Sequence, residues 1–170
     1  MDQSVRRMNQ LPADLAEAEF LKCCGSTRWA KLMTEARPFA NFAEVSTKAD
    51  EICASLGEQD WLEAFRAHPR IGERKAAATQ SHQAATWSAH EQSQAQQAAD
   101  ETKAAIAEGN RVYEDRFGFI FIICATGKSA EQVLSSLKER LANDVKTELQ
   151  IAAAEQQKIT QLRLQKLLST

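Results

Sequence analysis

Trp61-Leu62-Glu63-Ala64-Phe65-Arg66-Ala67-His68-Pro69-Arg70-Ile71-Gly72 runs a helix into a chain break and leaves a histidine standing there. Trp61, Leu62 and Phe65 recur at helical spacing, so the stretch begins as one amphipathic helix. Proline at 69 disfavours the α conformation at His68, which stops the helix. Rigid Pro69 and permissive Gly72 then set the path of the chain beyond it. A helix C-terminus carries partial negative charge that favours a protonated ring, and an imidazole there can trade a proton near neutral pH. The same position also suits a plain cap, the ring satisfying the last carbonyls. Position alone leaves both roles open.

The rest of the chain favours helices around that stretch. Its 170 residues suffice for a single domain, residues 1–170, with a sizeable core. Only 6 glycines and 3 prolines interrupt a sequence rich in Ala, Glu, Gln, Leu and Lys. The hydrophobic share of 44% with 26% charged residues is that of an ordinary globular protein. A formal net charge of −2 without blocks of like charge speaks against a nucleic-acid partner. The longest apolar run, Phe117–Ala125, is too short to span a bilayer. The N-terminus lacks the apolar core of a signal peptide and Leu-Ser-Thr is no peroxisomal address, so the expected location is cytoplasmic. Cys23, Cys24, Cys53 and Cys124 have neither metal-knuckle spacing nor the density of a disulfide framework, and read as reduced, packed thiols.

Taken in order, residues 1–10 read as a loose N-terminal arm and Pro12 opens a helix over Asp14–Cys24 with Leu15, Phe20 and Leu21 inward. Ser26 caps Thr27–Ala36, and Arg37-Pro38 ends it. Ser46 or Thr47 starts a helix through Leu56 that Gly57 stops, and Gln59–Ala67 follows. Arg70–Thr86 reads as a long loop with a short helical piece, of the kind that lines sites. Ser88 caps the next helix, with Glu91 completing a capping box. Asp100 caps another through Arg116, with Ile106, Val112, Tyr113 and Phe117 on one face. Gly118 closes it, and Phe119–Cys124 reads as extended. Ser129 with Gln132 opens a helix to Ala142. Asn143 caps a last one to about Leu168 whose stripe is Leu149, Ile151, Ile159, Leu162 and Leu167. The expected fold is an all-α bundle of about eight helices.

Several chemistries find no residues to carry them. His68, His82 and His90 form no HExxH pair or Cys/His cluster, so no metal site is expected. Neither a P-loop nor a dinucleotide glycine fingerprint is present. Cys23-Cys24 sits in an apolar helix, where packing outweighs nucleophilic use. In Ser88-Ala89-His90-Glu91-Gln92 the capping box stands beside a second reading, in which exposed N–H groups hold an anion or polar heterocycle. In Asn110–Ala125 a buried extended run leaves backbone donors and acceptors that a flat, amide-rich ligand can meet. Arg163 in Lys158–Leu164 is either a surface charge or a planar fork for a carboxylate.

Four of these segments, in this order, resemble the OHCU decarboxylases, the ureidoimidazoline decarboxylases of the urate-to-allantoin route. They are His68-Pro69-Arg70-Ile71-Gly72, Ser88–Gln92, Asn110–Ala125 with its Phe-Gly-Phe core, and Ile159–Leu164. Trp29 and Arg37-Pro38-Phe39 look like the family's N-terminal pattern, and the likeness runs from about Leu11 to Leu168. Trp87 departs from it, standing where the family usually has an acidic residue. The resemblance implies an all-helical fold, a carboxy-lyase without cofactor or metal, a small-molecule ureidoimidazoline substrate, a homodimer, and no nucleic-acid or membrane partner. It carries over His68 as the catalytic residue, and Glu91 is set beside it as a second one. As substrate contacts it carries over Pro69, Ser88, Ala89, His90, Glu91, Gln92, Phe121, Ile122, Ile123, Cys124 and Ala125, to which Arg163 is added.

That substrate would make the chemistry self-contained. Its carboxylate lies beside a ring C=N bond, so the electron pair released with carbon dioxide can flow into the ring. The protein then needs to orient the carboxylate, stabilise an enediol-like intermediate, and deliver a proton to one face to give (S)-allantoin. The rival from another class is a non-catalytic helical interaction module, which predicts an exposed apolar groove and tolerance of His68 replacement. A ureide or purine hydrolase would need a nucleophile or metal that these residues do not offer.

Overall fold

The computed structural model describes residues 3–72, 80–94 and 99–168. Among them are nine helices and no strand. They are α1 (Gln3–Gln10), α2 (Ala13–Cys23), α3 (Thr27–Glu35), α4 (Phe42–Ala54), α5 (Glu58–Arg66), α6 (His82–Glu91), α7 (Asp100–Phe117), α8 (Ala130–Arg140) and α9 (Val145–Leu168). The all-α expectation holds. Two compact units divide the chain: the described residues of 1–64 and 157–170 form one, and those of 65–156 the other.

In the first unit the expected loose arm is helix α1 from Gln3 onward. Two inward side chains, Val5 and Met8, are buried, which a loose arm would not achieve. The Arg37 guanidinium donates to the carbonyls of Met8 at 2.7 Å and Leu11 at 2.9 Å, satisfying the helix end. Asn9 and Phe39 exchange a reciprocal pair of 2.8 and 2.9 Å hydrogen bonds. Leu15, expected inward, is 51% exposed, while Ala16, Phe20 and Cys23 form the buried face of α2. Ser26 caps α3 as expected, accepting from the Trp29 N–H.

One helix start and one helix stop in this unit differ from the sequence expectation. Helix α4 begins at Phe42, ahead of Ser46, because Asn41 accepts from the Glu44 N–H at 3.0 Å while Glu44 accepts from the Ala40 N–H at 2.5 Å. Gly57 does not stop that helix, whose C-cap is Ser55. It opens α5 instead, donating to the Asp60 carboxylate at 2.9 Å and accepting from the Trp61 N–H. Phe20 packs edge-on to Trp29, with Met33, Phe39 and Val45 buried as well. Gln161 of α9 joins the same unit by accepting from the Ser46 hydroxyl at 2.7 Å.

The second unit is built on aromatics and a buried ion pair. Phe65, Tyr113, Phe117, Phe119 and Phe121 form one cluster, the Tyr113 ring lying 4.6 Å from Phe117 and 5.2 Å from Phe121. Gly118 closes α7 with φ +78°, as its sequence position implied. Ala99, not Asp100, is the N-cap of α7, and Val112 is 38% exposed. Gly109 lets α7 and α8 approach, since a Cβ there would lie 2.5 Å from the Leu137 side chain. The Ser129/Gln132 capping box is formed.

Behind the cluster, fully buried Glu148 receives Arg140 at 2.5 Å, the Tyr113 hydroxyl at 2.5 Å and Asn143 Nδ2 at 2.9 Å. Asn143, expected as the cap of α9, therefore serves Glu148. Asp144 accepts from the Thr147 N–H instead. Burial, then the Glu148 hydrogen bond, pushes the Tyr113 hydroxyl far above its ordinary range. The expected stripe of α9 is also revised: Ile159 and Leu167 are buried, but Leu149, Ile151 and Leu162 are only part-buried. Glu148, Ala152, Gln156, Thr160, Arg163 and Leu164 complete the buried face.

Candidate active site

His68 lies two residues past the end of α5, its N–H donating to the Phe65 carbonyl at 3.0 Å. The ring is part-buried, and its Nε2 stands 2.7 Å from Oε1 of Gln156 on α9. The following residues are held in turn. Arg70 makes a two-pronged ion pair with Glu114 of α7 at 2.8 and 2.9 Å. Asn110 of α7 donates to the Ile71 carbonyl at 2.9 Å. The Gly72 N–H donates to Oε1 of Gln92 at 3.2 Å, and its φ of +86° is one that side chains other than hydrogen rarely adopt. Pro69 thus begins a segment whose path is fixed from both α7 and the end of α6.

Ser88–Gln92 is the C-terminal turn of a helix rather than the N-terminal turn read from the sequence. Ser81 caps α6, accepting from the Ala84 N–H at 3.2 Å, so Ser88 and Glu91 form no capping box. The signal was real in type but one helix start too late, because Ser81 and Ser88 both precede plausible helix. The anion reading based on exposed N–H groups at Ser88 loses its footing with that change. Ser88, Glu91 and Gln92 share the buried face at helical spacing, whereas Ala89 and His90 are exposed. Gln80 donates to the Ser88 hydroxyl at 2.6 Å. Lys75 and its neighbouring alanines, read as loop, lie outside the described residues.

Ile120–Ala125 is neither helix nor strand, and Phe119 before it is a bend. Phe121, Ile122, Ile123 and Ala125 are buried and Cys124 is half-buried. Three of its backbone groups meet protein partners: the Ile122 carbonyl accepts from Arg140 at 2.7 Å, the Cys124 N–H donates to Glu155 at 2.7 Å, and the Ala125 carbonyl accepts from the Lys128 N–H at 3.0 Å. The Arg140 guanidinium also lies 4.5 Å from the Phe121 ring centroid. Burial raises the Cys124 thiol, and the charges of Glu155 and Glu91 raise it further. Those carboxylates therefore stand close to the segment.

The structure thus brings His68–Gly72, Ser88–Gln92 and Phe121–Ala125 into one unit and links them through α7 and α9. Arg163 belongs to the other unit. It is 3% exposed and donates to the Lys22 carbonyl at 3.3 Å, so it is no surface charge. The residues missed by sequence reading are Glu155, Gln156 and Arg140, while Asn110 was quoted only as the first residue of its segment. A signal for Gln156 existed: Glu148, Gln156, Thr160 and Arg163, with Ala152 between the first two, recur every three or four residues on α9, polar residues at core spacing. Among the described residues no group of three or more His, Cys, Asp or Glu side chains could hold a metal ion.

The chain is similar to several known proteins. The family model described as OHCU decarboxylase matches residues 9–165. A uric acid degradation bifunctional protein of Arabidopsis thaliana is 41% identical over 167 residues, covering 92% of this chain and 48% of its own length. A 2-oxo-4-hydroxy-4-carboxy-5-ureidoimidazoline decarboxylase of Amia calva is 36% identical, covering 76% of this chain and 73% of its own. The chain thus spans about half the length of the Arabidopsis relative. A crystal structure of OHCU decarboxylase in the presence of (S)-allantoin superposes with a TM-score of 0.78 at 40% identity, over 89% of this chain and 98% of that one.

Proposed function

The chain belongs to the OHCU decarboxylase family, and from that premise we propose that it decarboxylates 2-oxo-4-hydroxy-4-carboxy-5-ureidoimidazoline to (S)-allantoin in urate breakdown. The observation that carries the reading is the convergence of the three motif segments: Gln92 holds Gly72, four residues beyond His68, while the Glu91 charge reaches the Cys124 thiol. In this proposal His68 is the acid–base group, taking the proton from the substrate hydroxyl as that carbon becomes a carbonyl and returning one to the adjacent ring carbon that bears the ureido group. The carbon–carbon bond to the carboxylate breaks, and its electron pair enters the ring C=N bond. Substrate chemistry supplies the electron sink, so the protein's work is orientation and proton delivery.

Glu91 accepts from ureido or ring N–H groups in this reading, as a carboxylate with acceptor capacity only. Ser88, Gln92 and Pro69 border the same substrate, and the Phe121–Ala125 backbone reads its amide edge. With Ala89 and His90 exposed, their assigned contact runs through backbone groups of the same turn. Arg163 is retained as a carboxylate fork. Family membership over residues 9–165 supports treating both units as parts of one functional domain. We also propose a cytoplasmic homodimer without nucleic-acid or membrane partners; none of the described helices is long and apolar enough to cross a membrane. Light scattering on a sizing column would read the dimer directly.

Circular dichroism during urate breakdown tests the activity, with urate oxidase and hydroxyisourate hydrolase generating substrate in place. Fast growth of an optically active allantoin signal is expected, falling by about 10²–10⁴-fold in His68→Asn. A trace no faster than spontaneous decay would leave a helical interaction module in its place.

A further inference from the structure

Gln156 is wholly buried, and its amide is the group that meets the His68 ring. Burying an amide without hydrogen bonds is costly, so its partners decide whether the side chain is tolerated there. Its Oε1 lies 2.7 Å from Nε2 of His68, a short and direct contact. The two imidazole nitrogens are distinct, and the hydrogen bond made by one sets the proton on the other. We propose that Gln156 is a positioning residue that accepts from Nε2–H of His68, fixing that tautomer and the ring plane and leaving Nδ1 as the basic nitrogen. The acceptor is neutral, so it orients the ring without adding a carboxylate that would hold the imidazolium. His68 can then both take and release a proton.

The geometry on either side supports this role. The His68 backbone is tied to the end of α5 through Phe65, and the chain after it is tied to α7 and Gln92. Those contacts fix where the ring begins, and Gln156 reaches the ring itself from another helix. Its neighbour Glu155 accepts from the Cys124 N–H at 2.7 Å, so adjacent residues of α9 set the ring and the backbone proposed to read the substrate.

The kinetic consequence rests on the decarboxylase reading; the tautomer itself does not. Nitrogen-15 NMR of the histidine side chains, assigned by the resonances lost in His68→Asn, should show the proton on Nε2 in the wild-type protein. Gln156→Met, close in volume but without an acceptor, should give a tautomer mixture, and kcat should fall on the order of 10- to 100-fold with KM little changed. Gln156→Glu keeps an acceptor and should keep the Nε2 proton, which decides the matter if the Met variant fails to fold. A proton on Nδ1 in the wild type would overturn the proposal. So would a Gln156→Met protein with unchanged tautomer and turnover. A wild type with the Nε2–H tautomer and no turnover would overturn the decarboxylase reading and leave the ring orientation standing.

Discussion

Cys24 and Cys53 in one unit and Glu148 and Arg140 in the other are all buried ionisable groups, yet burial has opposite consequences for them. Desolvation outweighs the hydrogen bonds and the Arg163 charge at the Cys24 thiol, pushing Cys24 up to about 11 and Cys53 up to about 12. They pack as small apolar groups. Glu148 receives a guanidinium, a phenol and an amide, and the same guanidinium holds the Ile122 carbonyl. Depth in the core therefore does not decide whether a polar group takes part in building a site. Its partners do.

The largest blow to that contrast is expected from Arg140→Met, which strands Glu148 and should cost about 3–5 kcal/mol in urea unfolding. Pairing it with Glu148→Leu should return much of that loss, since the penalty lies in the unpaired charge. If the double variant is no better than the single, the network is not a charge-pairing device. Met33→Ala, in the thiol-bearing unit, should cost about 2–4 kcal/mol through a cavity alone, with no rescue by any charge change. Arg37→Ala removes two bonds to the end of α1 and should cost about 2 kcal/mol, read as faster amide exchange in Gln3–Gln10 than elsewhere.

The smallest effect concerns the thiols and is visible only in alkali. A thiol whose folded pKa exceeds its unfolded value is favoured in the fold while protonated. Its contribution is complete below the thiol's ordinary value of 9.0 and is lost as pH rises towards about 11 for Cys24. The urea midpoint of the wild type should therefore decline above about pH 9, and Cys24→Ala should flatten that decline. An unchanged slope would place the thiol's ionisation outside the folding equilibrium.

Much of this architecture could be read in the residues themselves. Ser26, Gly118 and the Ser129/Gln132 pair announce helix ends by local hydrogen bonding, which is why they were found in place. The errors fall where two local signals compete. Asn41 outcompeted Ser46 as a start, and Ser81 outcompeted Ser88, because a cap is chosen by what the next turns bury. Residues 3–10 seemed loose because their two apolar side chains form too short a pattern to stand alone; Arg37 and Asn9 supply the rest from a distance. The candidate site was legible as segments, with His68-Pro69 expected at its centre. Gln156 and Glu155 escaped notice because a glutamine or glutamate on a long helix is ordinarily solvent-facing. Only the three-dimensional path of α9 brings them to His68 and Cys124.

Helix α9 has one more consequence, for how the sequence can change length. Each residue advances a helix by about 1.5 Å and turns it by about 100°. Glu155 and Gln156 share that rigid rod, so a single residue inserted after Ala152 would swing both side chains off their partners together. Substitutions at the part-buried Ile151 or the exposed Ala154 would leave the rotation untouched. A library of one-residue insertions and deletions along the chain should show a silent gap across Glu148–Gln156, even where point changes in the same span survive. For this protein, helix length is a coordinate of the site.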